Sequence, residues 1–444
     1  MKKHTPKSFK KKIVVMGGGS IQFSPALIVA FIKEKRLYGS TIVLVDIDEK
    51  KLRDVARLAK KLIEVGGADY ELESTTDRLE ALPGADCVIT SVEVNRFPTW
   101  ENDRAIPARF GIAQSLGENG GPGGLLHAMR QIPIMVDTCK DMERLCPNAL
   151  VLNLSNPMSR ILQGIKDYTT IKFIGLCHEI EDGSNLVSQL LQTPVQDLHI
   201  VAAGLNHFTW FLKIQDRLSG EDLYPKVRKL VLENIHIDRL LVADLLRVTG
   251  YLCVTSDTHV GEYIAGGHLF STALRPDLEP FSFFEFYKDL MRDNEKMMQS
   301  LISGEYPAAT YLQDGPPESL GVILVDIITT IAEGGKKRFE ALNLPNDGYI
   351  SNLSSDCIVE VPAWVKTGKA RGESVGALPP LIAGWCNQQT AIHRLNAKAA
   401  VEGDRQAALE ALLLDPVVPD RYTAEKCLDA MLEANRPYLP RFFK

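Results

Sequence analysis

The sequence lacks several features that would narrow its function at once. No C-x-x-C pair occurs among its eight cysteines: Cys87, Cys139, Cys146, Cys177, Cys253, Cys357, Cys386 and Cys427. Thiols scattered this way in a large chain without an export signal are expected to be reduced and mostly buried. No Lys/Arg block stands beyond the first dozen residues, and the net charge is −6, which removes support for a nucleic-acid partner. The basic start "MKKHTPKSFKKK" is followed by a short apolar run and glycines, not by the apolar core of a signal peptide. Nor is there an uninterrupted apolar run of membrane length. The expectation is a soluble cytoplasmic protein with no membrane partner. Internal repeats and low-complexity linkers are also absent.

What is present is a large core in alternating elements. The chain has 444 residues, 45% of them hydrophobic, enough for two to three domains. "KKIVVMGGGS" is a β-branched run ending in Gly17, Gly18 and Gly19, and a helical pattern follows from Pro25 to about Lys35. "TIVLVDID" is a second buried strand, ending in Asp46, with a helix from about Glu49 to Glu64 behind it. "ADCVITSV", "NALVLNLSNP" and "IKFIGLCHE" continue the alternation. The pattern predicts an α/β fold, a Rossmann-like doubly wound parallel sheet of the lactate/malate dehydrogenase kind over residues 1–198. From about His199 the texture changes. "LHIVAAGLNHFTWFLKIQD" suggests longer or antiparallel strands, "DGYISNLSSDCIVEVPAWV" returns to strand chemistry, and amphipathic helix follows Leu378. Residues 199–444 are read as one C-terminal α+β substrate and metal domain.

Four stretches carry chemistry. A strand, Gly-x-Gly turn and helix, with an acid ending the next strand, form a dinucleotide fingerprint. Glycines admit a pyrophosphate to the helix N-terminus, and Asp46 could bind the ribose. The third glycine position holds Gln22. Gly17, Gly18, Gly19, Ser20 and Asp46 are therefore cofactor-binding candidates, with NAD+ preferred because an aspartate repels a 2′-phosphate. "GENGGPGG", residues 117–124, is a second glycine-rich turn, which places Glu118 and Asn119 at a cleft. "NLSNP", residues 153–157, puts Asn153 and Asn156 at a strand's carboxyl end, where open α/β sheets bind ligands. Cys177 ends "FIGLC" and His207 follows "AGLN". Thiolate and imidazole together suit a borderline-soft divalent ion. "TSDTHVGEY" then packs Asp257, His259, Glu262 and Tyr263 into nine residues.

The ordered set GGGS, GPGG, NLSNP, CHE, LNHFTW and D-T-H-V-G-E-Y resembles glycoside hydrolase family 4, from about Lys12 to the C-terminus. Most glycosidases use two carboxylates, and this NAD-dependent family is an exception. The resemblance implies that Cys177 and His207 bind one divalent cation, usually Mn2+, and that Asn156 contacts substrate. It also implies a cycle: NAD+ oxidises C3, a base removes the acidified C2 proton, the C1 substituent is eliminated, water adds, and the hydride returns. Asp257 and Tyr263 compete for the base, with Asp257 favoured. His178 and Glu118 are candidates for protonating the leaving group. Asn153 falls among the cofactor contacts and His259 among the substrate contacts.

Members acting on phosphorylated sugars carry C-D-x-P, whereas Cys177-His178-Glu179 looks like the α-galacturonidase branch. That branch has D-R-H where this chain has Asp257-Thr258-His259. The expected activity is thus an α-galacturonidase working on a small glycoside or oligosaccharide, as a homodimer or homotetramer. Another family 4 specificity (α-glucosidase, α-galactosidase, α-glucuronidase) is an alternative. A lactate- or malate-type dehydrogenase shares the sheet and the N-P turn but needs no thiolate–imidazole site. A non-catalytic NAD sensor would leave the Asp257–Tyr263 cluster unexplained.

Overall fold

The computed structural model describes residues 8–234, 239–272, 282–315 and 319–443, so the first seven residues of the basic start lie outside the described residues. The first half is a parallel sheet built from β1 (Lys12–Met16), β2 (Ser40–Val45), β3 (Tyr70–Thr75), β4 (Cys87–Thr90), β5 (Leu150–Asn153) and β6 (Lys172–Gly175). Its order, 3-2-1-4-5-6, is that of the doubly wound dinucleotide-binding fold. Val14 of β1 pairs with Val43 of β2 on one side and Val88 of β4 on the other. Both faces of these strands are covered by helices, which is why they read as unbroken apolar runs. The edge strand β3, "YELEST", buries only Tyr70 and has no such run.

The sheet does not stop at β6. β7 (Leu198–Leu205) and β8 (Phe208–Asp216) form an antiparallel hairpin, and β9 (Lys336–Pro345), β10 (Ile358–Lys366) and β11 (Lys369–Gly372) complete one 11-stranded sheet. Strand β9 joins the parallel half through Gly175 and Asn343. The late helices Pro380–Glu402, Arg405–Leu414 and Arg421–Ala434 return to the first half. Ile392, Ala408 and Leu428 bury against Val14, Val88 and the long helix Gly121–Leu145, so one core spans both ends of the chain. Cys177, just past the carboxyl end of β6, lies beside His207 in the β7–β8 turn. No helix among the described residues is long and apolar enough to cross a membrane.

Candidate active site

The glycine turn after β1 is built for close approach. Gly17 has φ +80°, and a Cβ there would strike the carbonyl of Ser91. The N–H groups of Gly17 and Gly18 both donate to the Val45 carbonyl at 2.9 Å. Ser20 Oγ accepts from Phe23 N at 3.3 Å, just before the helix Ser24–Lys33. Asp46 accepts from Gly19 N at 3.0 Å and from Asp48 N at 2.9 Å, so its carboxylate sits against the turn. Ile47 beside it is 94% exposed, an apolar surface at the end of β2. A bare-backbone cradle, an acid and an exposed apolar side chain together fit a dinucleotide.

The two strand ends meet. Cys177 Sγ, a Glu179 carboxylate oxygen and a His207 ring nitrogen lie within 4.8 Å of one another. The hairpin turn brings His207 there in the left-handed region, at φ +60°. Burial holds its imidazole down to about 4, and its Nδ1 has no hydrogen-bond partner. A neutral imidazole with a bare nitrogen is a ready ligand. Burial pushes the Cys177 thiol well up, and the charges of Glu179 and Glu360 add to this. A divalent cation would supply the charge that reverses both effects. The set of sulfur, oxygen and nitrogen donors suits Mn2+ or a neighbouring transition ion. His259 stands edge-on to His207, with ring centroids 4.8 Å apart, and its Nδ1 lies 3.2 Å from Thr258 Oγ1.

Two acids missed as positioning groups support this centre. Glu360, 2% exposed on β10, accepts from Thr209 Oγ1 at 2.6 Å, Asn343 Nδ2 at 2.8 Å and Asn206 Nδ2 at 3.3 Å, pinning the turn that carries His207. A lone acid inside the apolar "CIVEVPAWV" was its signal. Glu262 accepts from the backbone N–H groups of Glu118, Asn119 and Gly120 at 2.7, 3.0 and 3.3 Å, and so anchors the second glycine turn. A Cβ on Gly120 would strike the Glu262 carbonyl, which is why that turn needs glycine. Burial and the charge of Glu118 raise Glu262 to about 8 against the pull of those N–H groups.

The structure gives four of the expected site residues specific surroundings. Asp257 accepts from Leu241 N and Val242 N, both at 2.9 Å, at the start of the helix Leu240–Thr249. Glu118 pairs with Arg96 Nη2 at 2.5 Å. Burial alone would raise it, but Arg96, His127 and His259 outweigh burial and hold it below its ordinary value. His178, between the clustered residues Cys177 and Glu179 in sequence, is 54% exposed and 3.5 Å from Asp182. Asn153 is fully buried. It accepts from Thr90 Oγ1 and donates to the Ser155 carbonyl, both at 2.9 Å, leaving its amide committed to the fold. Asn156, by contrast, has a buried Oδ1 without a partner. Tyr263 is 5% exposed and lines a small cleft with Asn119, Pro157, Arg160, Asn206 and His393.

The descriptions of the family models that match are "Family 4 glycosyl hydrolase", over residues 12–193, and "Family 4 glycosyl hydrolase C-terminal domain", over residues 202–418. The chain belongs to family 4 of the glycosyl hydrolases. An alpha-glucosidase of Erwinia rhapontici is 31% identical to this family 4 enzyme over 469 residues, covering 96% of this chain and 98% of that one. An alpha-galacturonidase of Lachnoclostridium phytofermentans is 26% identical and covers 99% of each chain. A 6-phospho-alpha-glucosidase from gut microorganisms, solved in complex with NAD and Mn2+, shares the fold at a TM-score of 0.83. It is 24% identical, with 97% of this chain and 99% of that one covered.

Proposed function

We propose that this family 4 glycosyl hydrolase is an NAD+- and Mn2+-dependent α-galacturonidase. The observation that carries the cofactor reading is the Cys177–Glu179–His207 cluster, at the same sheet edge as the glycine turn after β1. When bound, NAD+ supplies a hydride acceptor and donor, and the cation supplies positive charge that polarises sugar oxygens and draws a nearby phenol toward ionisation. Gly17–Gly19 and Asp46 hold the dinucleotide, and Cys177, Glu179 and His207 hold the cation.

Tyr263 takes the role of base at C2. Its phenol lines the cleft between the N-P turn and Asn206, whereas the Asp257 carboxylate is engaged by two backbone N–H groups. Burial raises the phenol well above its ordinary value and Glu262 adds to this, while the charge of Arg160 opposes. Asn156 and His259 face substrate hydroxyls, and the Tyr263 ring packs on the buried Phe208, with ring centroids 5.1 Å apart. The exposed His178 is the group able to exchange a proton with solvent for the leaving oxygen.

The uronide reading rests on the Cys-His-Glu form and on the α-galacturonidase among the relatives. The α-glucosidase at 31% identity favours a neutral α-glucoside as the second reading. A panel of 4-nitrophenyl glycosides with NAD+ and Mn2+ separates them. The α-galacturonide is expected to be cleaved at least about tenfold better in kcat/KM than the α-galactoside or α-glucoside, a margin of about 1.4 kcal/mol. Better cleavage of a neutral glycoside replaces the sugar; no cleavage of any glycoside overturns the reading. The assembly is taken as a cytoplasmic homodimer or homotetramer, which light scattering and fractionation would check.

A further inference from the structure

Arg160 is the anomaly of the cleft. It lies in the first turn of the helix Met158–Tyr168, directly after the Asn156–Pro157 turn, and is 1% exposed. Its Nη1 donates to Asn396 Oδ1 at 3.0 Å, while Nε and Nη2 have no partner. No ion pair reaches it among the described residues. Asp415, Tyr263 and Glu262 act on it only through space. A guanidinium taken out of water without a direct ion pair costs several kcal/mol, and buried charges are ordinarily paired. Its neighbour Ser159 also has a buried hydroxyl with no partner. The first N–H groups of a helix add to this set, because they have no intrahelical acceptor. Arg160 and the helix N–H groups are donors, the Ser159 hydroxyl can donate or accept, Asn119 in the same cleft has a buried Oδ1 with no partner, and His393, the other basic group there, is kept neutral by burial.

We propose that Arg160, with Ser159 at the same helix start, reads an acidic group on the substrate and takes the carboxylate of a uronic acid. The proposal deepens the function given above and rests on it. The cleft that Arg160 lines also contains Tyr263 and Asn206, the residue before the cation ligand His207, so the guanidinium borders the sugar-binding space. The planar fork of an arginine matches two carboxylate oxygens.

The test uses the full-length enzyme with NAD+ and Mn2+ and the variants Arg160→Met and Arg160→Lys. The ratio of kcat/KM for 4-nitrophenyl α-galacturonide over the α-galactoside is expected to fall about 100-fold in Arg160→Met and less in Arg160→Lys, in line with loss of a charge-assisted pair. An unchanged ratio, with both substrates losing equally, assigns Arg160 to structure and overturns the proposal. Calorimetric binding of free galacturonate, galactose and galactose 6-phosphate reads the same site without turnover and without a variant. Galacturonate is expected to bind tightest to the wild type and to lose that advantage in the variants. Galactose binding as well as galacturonate, or galactose 6-phosphate binding better, overturns the carboxylate assignment. If galacturonate wins in calorimetry but no glycoside is cleaved, the catalytic reading fails and the anion site stands.

Discussion

Replacing Asp257 by asparagine should damage stability rather than chemistry. Each carboxylate oxygen accepts one backbone N–H at the start of the helix Leu240–Thr249, at 2.9 Å. Asparagine keeps one acceptor oxygen and turns an N–H2 toward the second donor. One charge-assisted bond is lost, worth about 1.5–3 kcal/mol in a site that is 4% exposed. Unfolding entropy of roughly 2.1 cal/mol/K per residue, taken over the whole chain, turns that loss into a drop of about 2–3 °C in Tm. Turnover of the best glycoside at 25 °C, with NAD+ and Mn2+ saturating, should fall by less than about tenfold. Tyr263→Phe is the contrast: its Tm should hold while kcat falls by about 10²–10⁴, the usual contribution of a positioned base. Differential scanning fluorimetry and steady-state kinetics on both variants decide the matter. An Asp257→Asn enzyme with native Tm, native NAD+ affinity and a 10²-fold or greater loss in kcat would refute the capping argument and return the base to Asp257.

Two further outcomes follow from the buried acids and the cation cluster. Cys177→Ser and Glu179→Gln should each lose most bound Mn2+, read by metal analysis after dialysis, because a hydroxyl or an amide is a poorer ligand than a thiolate or a carboxylate; a Glu179→Gln protein with full metal content would remove Glu179 from the site. Glu262 is raised to about 8 in the folded state, so the folded protein binds the extra proton and wild-type stability declines as pH rises from the ordinary carboxylate range toward 8. Glu262→Gln keeps an oxygen for the three N–H groups and carries no charge. Its denaturation midpoint should match wild type near pH 5 and exceed it near pH 8, and parallel curves for the two proteins would show that Glu262 is ionised throughout.

The sequence alone determined most of the parallel half of the sheet and two of the three residues of the cation cluster. Strands β1, β2, β4, β5 and β6 are legible because burial on both faces demands unbroken apolar runs, and the glycine turn is legible because Gly17 has a backbone conformation other residues resist. Edge strand β3 escaped that reading, since an edge buries little and "YELEST" is correspondingly polar. Cys177 and His207 could be named because each ends an apolar strand. Their meeting, and the arrival of Glu179 beside them, depended on a hairpin turn and on β9 joining β6, contacts between segments far apart in the chain. The roles of the acids were decided by tertiary structure alone. Asp257, Glu118, Glu262 and Glu360 are equivalent carboxylates in the sequence. What separates them is which donors surround each one: two helix N–H groups, an arginine, a glycine turn, or the amides behind a cation site. Those surroundings set protonation and availability, and no local pattern encodes them, because every partner comes from another part of the chain.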